Sequence, residues 1–170
     1  MGFRIRFNEE KNQLLQAIRG VGFEEVIEAI KEGQILDDIS NPSKSRSKQR
    51  LYILKINQYV YAVPYVINEA KKEIFLKTIY PSRILTTKYL KKRKKRKEKI
   101  MKKPQPPVDT FANLILDEEE AQIEKDLELG LYVRDTDFEQ TKLMLKEAAE
   151  RYEELNKTKP VTLRVNQLDL

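Results

Sequence analysis

The sequence predicts an α+β protein. Two dense β runs, Tyr59–Ile67 and Glu73–Tyr80, follow one another in mid-chain. They hold the Tyr, Val, Ile and Phe that suit a pleated, half-buried surface. On either side, apolar residues recur at three-four spacing, which reads as helix. Asn57-Gln58, Asn68-Glu69-Ala70, Gly20 and Gly33 stand where turns are needed.

Taken in order, Phe3–Phe7 alternates apolar and basic residues and reads as a short strand. Asn8 can cap a helix whose first turn holds Glu9 and Glu10, a favourable place for acids. That helix is expected to turn Leu14, Leu15 and Ile18 inward and to end at Gly20. Phe23, Val26, Ile27 and Ile30 mark a second amphipathic helix that runs to Gly33. Glu24, Glu25 and Glu28 lie on its other side and read as a solvated face rather than an acid–base pair. Asn41–Arg50 is Ser-rich and basic, with Lys44, Arg46, Lys48 and Arg50. It reads equally as an RNA-backbone contact and as a plain surface loop. Leu51–Ile56 is the next strand, turned by Asn57-Gln58 into the run at Tyr59, so the first part carries a three-stranded antiparallel meander.

Pro81 stops the last β run, because it cannot donate to a ladder. Ser82 is placed to cap the following helix, with Arg83 in its first turn. A helix start suits a phosphate, and an Arg beside it adds a bidentate fork.

The charge is split along the chain. Residues 1–100 hold 23 Lys and Arg against 11 Asp and Glu, whereas residues 101–170 hold 10 against 16. A basic half and an acidic half suggest electrostatic partners, a nucleic-acid binder and its mimic, or two solvated surfaces. Lys91–Lys99, KKRKKRKEK, can bind nucleic acid through its phosphates without reading sequence. The chain has no Cys and no His, which excludes disulfides and thiolate metal sites; no metal or cofactor is expected. No apolar run approaches the ~18 residues of a membrane span, and none follows Met1 as in a signal peptide. A cytoplasmic location and no membrane partner are expected.

Composition changes at Met101. Pro104, Pro106 and Pro107 make an extended linker. Asp117 and Glu120 fit a capping box, and the helix they start ends near Gly130. Asp137 starts a longer helix in which Phe138, Thr141, Leu145, Ala148, Tyr152 and Leu155 form an apolar seam. Val161–Asn166 reads as a last short strand. The expected organisation is therefore a domain at 1–97, a basic and Pro-rich linker at 98–109, a helical segment at 110–158 and a strand within 159–170.

Two stretches of the first half, IFLKTIYPSRILTTKYL at Ile74–Leu90 and GVGFEEVIEAI at Gly20–Ile30, resemble the BrnT-type toxins. Those are small bacterial ribonucleases of the RelE-like fold. Where such toxins often carry Lys-His-Gly before the second helix, this chain has Ile18-Arg19-Gly20. The second half is similar to the CopG-like antitoxins that accompany them, in LDEEEAQIEKDLELG at Leu116–Gly130, DFEQTKLMLKEAAERY at Asp137–Tyr152 and KPVTLRVNQLDL at Lys159–Leu170. The resemblance implies a ribonuclease toxin joined to its acidic inhibitor, with RNA as substrate and with the two halves docked in cis or in trans. The linker also allows a dimer in which halves exchange. In the antitoxin family the last segment opens a ribbon–helix–helix DNA-binding module, whose two helices would follow Leu170; operator binding is expected to be lost here. The other reading, which needs only the charges, is a non-enzymatic nucleic-acid-binding regulator with an acidic tail.

RelE-like toxins drive the RNA 2′-hydroxyl onto the adjacent phosphate, which requires a base, a proton donor and cations. The groups available are Tyr61, Tyr65, Tyr80, Lys77, Arg83 and Lys88. Tyr and Lys, with reference pKa values near ~10 and ~10.4, would need tuning to act as bases. The catalytic candidates are Arg83, Lys77, Tyr80 and Tyr65, with Arg83 holding the phosphate. RNA contacts are expected from Ser82, Arg50, Lys48 and Lys88. Phe138, Leu145, Tyr152 and Leu155 are the expected docking face of the inhibitory half. Cross-strand packing is the competing role for Tyr61 and Tyr65.

Overall fold

A computed structural model describes residues 2–42, 49–91 and 114–157. The architecture is α+β, and the mixed sheet has seven strands. The elements are β1 (Arg4–Phe7), α1 (Glu9–Arg19), α2 (Phe23–Lys31), β2 (Ile35–Ser40), β3 (Gln49–Ile56), β4 (Tyr59–Asn68), β5 (Glu73–Leu76), β6 (Tyr80–Pro81) and α3 (Arg83–Thr86). A π-helical turn at Thr87–Lys91 extends α3, and then come α4 (Glu118–Glu128), β7 (Val133–Arg134) and α5 (Phe138–Lys157). The strand order is β1-β5-β4-β3-β2-β7, with β6 pairing β4. The β3–β4–β5 meander is antiparallel, and β1 lies parallel to β5. The basic run beyond Lys91, the proline linker and the strand expected at Val161–Asn166 lie outside the described residues.

Strand alternation gives the sheet two buried faces. Tyr52, Leu54, Ile56, Val63 and Tyr65 share one core with the apolar side of α2 and with Phe138, Leu145, Ala148 and Ala149 of α5. Leu51, Ile53, Val60, Ala62 and Tyr80 share the other with Leu85 of α3 and Ile123 of α4. Residues from both halves of the chain thus build each core, and β7 extends the sheet at the β2 edge.

Several sequence expectations need correction. Leu14 and Ile18 face outward, at 51% and 67% exposure; α1 instead turns Asn12, Leu15 and Arg19 inward. Asn12 earns its place by accepting the Phe23 N–H at 2.7 Å, which fixes the corner between α1 and α2. β2 was not legible, because Asp37 and Asp38 interrupt its apolar pattern. The expected single run Glu73–Tyr80 is two strands. Lys77 N–H still donates to Pro64 O at 2.8 Å, but Pro64 has no N–H to return, and the ladder breaks there. The chain rejoins β4 at β6, where Tyr80 pairs Ala62.

Ser82 does cap α3, accepting from Leu85 N at 3.1 Å. Asp117 and Glu120 form the expected capping box of α4, with Glu120 N to Asp117 Oδ1 at 2.8 Å and Asp117 N to Glu120 Oε2 at 3.1 Å. Gly130, at φ 70°, takes the left-handed conformation that ends this helix.

Candidate functional site

The sequence singled out Lys77–Arg83, and the structure lays an acidic helix along it. The first turns of α4 carry Glu119 and Glu120, and Glu124 follows one turn later on the same side. Glu119 Oε1 meets Lys77 Nζ at 2.8 Å, and Lys77 also donates to Gln49 at 3.2 Å. Glu120 is fully buried. It accepts Thr78 Oγ1 at 2.7 Å and both terminal nitrogens of Arg19, at 2.7 and 2.6 Å. Arg19 is held from behind by Ile79 O at 2.5 Å. Lys11 pairs with Asp117 at the start of α4, at 3.6 Å. Residues 1–91 thus present Lys11, Arg19, Lys77 and Thr78, and the second half answers with carboxylates.

Glu124 lies against the hydroxyls of Tyr80 and Ser82, and its Oε1 is buried short of a well-formed hydrogen bond. Burial is the largest influence on Glu124 and raises its carboxyl above the ordinary 4.5, while Ser82 and Tyr80 pull it down. Burial also pushes the Tyr80 phenol far up, and Glu124 adds to the effect. Tyr80 and Ser82, expected as catalytic and RNA-binding groups, are therefore solvent-inaccessible in this arrangement. Arg83 is exposed at the start of α3, and Lys88 is exposed with its ammonium 5.4 Å from the Tyr89 ring. Lys48 lies outside the described residues.

Tyr65 and Arg50 belong elsewhere, on the sheet face under α5. Tyr65 is fully buried and stacked on Tyr52, with centroids 3.5 Å apart, and its hydroxyl lies 3.0 Å from both oxygens of Asp38. Burial drives the Tyr65 phenol well up. That places Tyr65 in the packing role rather than within reach of a substrate. Arg50 bridges Asp38 and Asp135, so β7 is tied to β3 by charge. Burial raises the Asp38 carboxyl, with Arg50 and Tyr65 opposing. On the other side of β2, Asp37 receives Arg134 Nε at 2.9 Å and the Tyr89 hydroxyl at 2.7 Å.

The docking face of α5 divides. Leu145 is fully buried, Phe138 nearly so, and Tyr152 packs at the core margin beside Phe7, with centroids 5.8 Å apart. Leu155 points to solvent at 47% exposure, one turn beyond where the core ends.

Arg19, Thr78, Asp37, Asp38 and Glu120 were not singled out from sequence. Only Arg19 carried a signal, at the position where the resembling toxins often have His. Among the described residues no group of three or more His, Cys, Asp or Glu side chains could hold a metal ion, and no helix is long and apolar enough to cross a membrane. No protein family matches the chain, and no curated protein or solved structure is significantly similar to it.

Proposed function

We propose that this chain joins a RelE-like ribonuclease toxin, residues 1–97, to an acidic CopG-like antitoxin segment, residues 110–158, and that the described arrangement is the inhibited one. The observation that carries the reading is the run of carboxylates over one short stretch: Glu119 on Lys77, Glu120 on Thr78 and Arg19, Glu124 at Tyr80 and Ser82. Such a helix competes with the phosphates of an RNA for the same donors. With α4 lifted, Lys77 and Arg83 would neutralise the scissile phosphate as the 2′-hydroxyl attacks it. Tyr80 is placed to give its proton to the departing 5′-oxygen, and its upward-shifted phenol suits a donor better than a base.

The test is expression of residues 1–97 alone and together with residues 101–170. The expected result is growth arrest with RNA cleavage from the first, relieved by the second, and cleavage that survives chelation of metals. A fragment that folds, binds RNA and leaves it intact would favour the non-enzymatic nucleic-acid-binding reading. The burial of Tyr65 and Tyr80 supports that second reading, since neither group reaches solvent in the arrangement described.

A further inference from the structure

Residues 1–91 contribute a convergent donor set around one carboxylate that none of the expected site residues explains. Arg19 is the last residue of α1, and its side chain is 7% exposed. Its two terminal nitrogens fork onto the two oxygens of Glu120, while Thr78 Oγ1 donates to Oε1. Ile79 O fixes the back of the guanidinium. A fork-on-fork guanidinium contact fits phosphate oxygens as well as carboxylate oxygens. Beside it, Lys77 Nζ holds Glu119, and one helical turn on, Ser82 and Tyr80 face Glu124. Glu120 and Glu124 are about 6 Å apart along the helix axis, since each residue rises about 1.5 Å. That is close to the step between successive phosphates of a nucleic-acid strand.

We infer that Arg19, supported by Thr78 and Ile79 O, is a phosphate-binding centre for single-stranded RNA, and that Glu120 occupies the phosphate position in the inhibited chain. This rests on the toxin reading for its choice of RNA, and it adds a guanidinium at the end of α1 to a site otherwise built from Lys77–Arg83. The buried position of Arg19 follows. A guanidinium meant only to tether α4 gains nothing from a second fixed acceptor behind it. One meant to present a fork to an incoming anion has to be held in plane beforehand.

The experiment uses the full chain and a fluorescein-labelled eight-nucleotide single-stranded RNA, followed by anisotropy from low to high salt. Glu120→Gln keeps the shape and the capping acceptor but removes the charge. It is expected to tighten binding about tenfold, the scale of one charge-assisted contact. Its salt dependence should steepen by about 0.7 for each added phosphate. Adding Arg19→Gln should return both quantities to those of the unaltered chain. Ile123→Ala loosens α4 without touching a charge and should give the same Arg19-dependent gain; it replaces Glu120→Gln if that variant fails to melt cooperatively. A folded variant that binds no more tightly than the unaltered chain overturns the inference, as does a gain that survives Arg19→Gln. An oligoglutamate of equal charge that binds Glu120→Gln as tightly as the RNA would assign the centre to acidic protein and also overturn it. The two proposals fail separately. If residues 1–97 neither arrest growth nor cleave RNA while the Arg19-dependent gain is seen, the ribonuclease reading falls and the site stands. If that fragment arrests growth equally well with Arg19→Gln, the site falls and the ribonuclease reading stands.

Discussion

The two helices of the second half grip the first half by different physics. α5 is attached through Phe138, Leu145, Ala148 and Ala149, all buried in the core beneath the sheet face of Tyr52 and Tyr65. α4 contributes a single fully apolar anchor to the opposite face, Ile123, with Leu127 at its margin, and otherwise holds on through Glu119, Glu120 and Glu124. Apolar burial is insensitive to moderate salt and to pH, whereas ion pairs are screened and titrate. The exposed Lys77–Glu119 pair contributes only ~0–1 kcal/mol. The buried Arg19–Glu120 pair sets its attraction against the cost of stripping water from both charges. One helix therefore anchors the second half while the other covers the Lys77–Arg83 stretch. An inhibitor built this way can uncover the site without letting go of it.

The comparison breaks most readily at Leu145. Leu145→Ala leaves a cavity in the core shared by α5, α2 and the sheet, and is expected to cost about 2–5 kcal/mol in urea unfolding. Lys77→Ala, on the side of α4, should cost less than about 1 kcal/mol in the same measurement. If the two losses are equal, or reversed, the apolar anchor and the ionic cover have been exchanged.

How much of this was legible in sequence follows the same division. The apolar elements were readable: the α2 stripe of Phe23, Val26, Ile27 and Ile30 is buried, the Asn57-Gln58 turn joins β3 to β4, and the seam of α5 is apolar down to Tyr152. Asn57 at φ 56° takes the left-handed conformation that Asn tolerates better than most residues. The elements stabilised by polar contacts were not. β2 hides because its buried Asp37 and Asp38 draw on Arg134, Tyr89, Arg50 and Tyr65, partners distant in the chain. α1 was turned the wrong way because its inward positions are Asn12 and Arg19 rather than Leu14 and Ile18. Of the candidate site, the stretch Lys77–Arg83 was visible through its turn and cap. Arg19 and Glu120 were not, since a buried pair separated by a hundred residues leaves no local pattern.

The pH response sharpens the contrast with a smaller effect. Glu124 on α4 has its carboxyl raised above 4.5 by burial. A raised acid contributes stability that is fully present below about 4.5 and is lost as pH rises through its folded value. Glu153 on α5 is shifted the other way, lowered chiefly by its hydrogen bond from Lys31, so its contribution is present above 4.5 and fades as pH falls through the folded value. Glu124→Gln is therefore expected to match the unaltered chain at pH 4 and to exceed it in stability at pH 7. Urea midpoints across that range decide the matter; superimposable profiles would mean that α4 carries no buried charge of consequence.

Arg83 carries the smallest expected effect on stability and the largest separation between stability and activity. It is exposed at the first position of α3, and Ser82, not Arg83, caps that helix. Arg83→Ala removes a long side chain from a surface where substitutions cost no more than about 0.5 kcal/mol. The melting curve of the full chain should hardly move. In residues 1–97 expressed alone, the same change is expected to abolish growth arrest and RNA cleavage, because the guanidinium beside Lys77 supplies charge to the phosphate in the proposed reaction. Arg83→Lys should restore only part of it, since an ammonium keeps the charge and loses the fork. A folded Arg83→Ala fragment that still arrests growth would confine the chemistry to the residues under α4, leaving Arg19, Lys77 and Tyr80 to account for it.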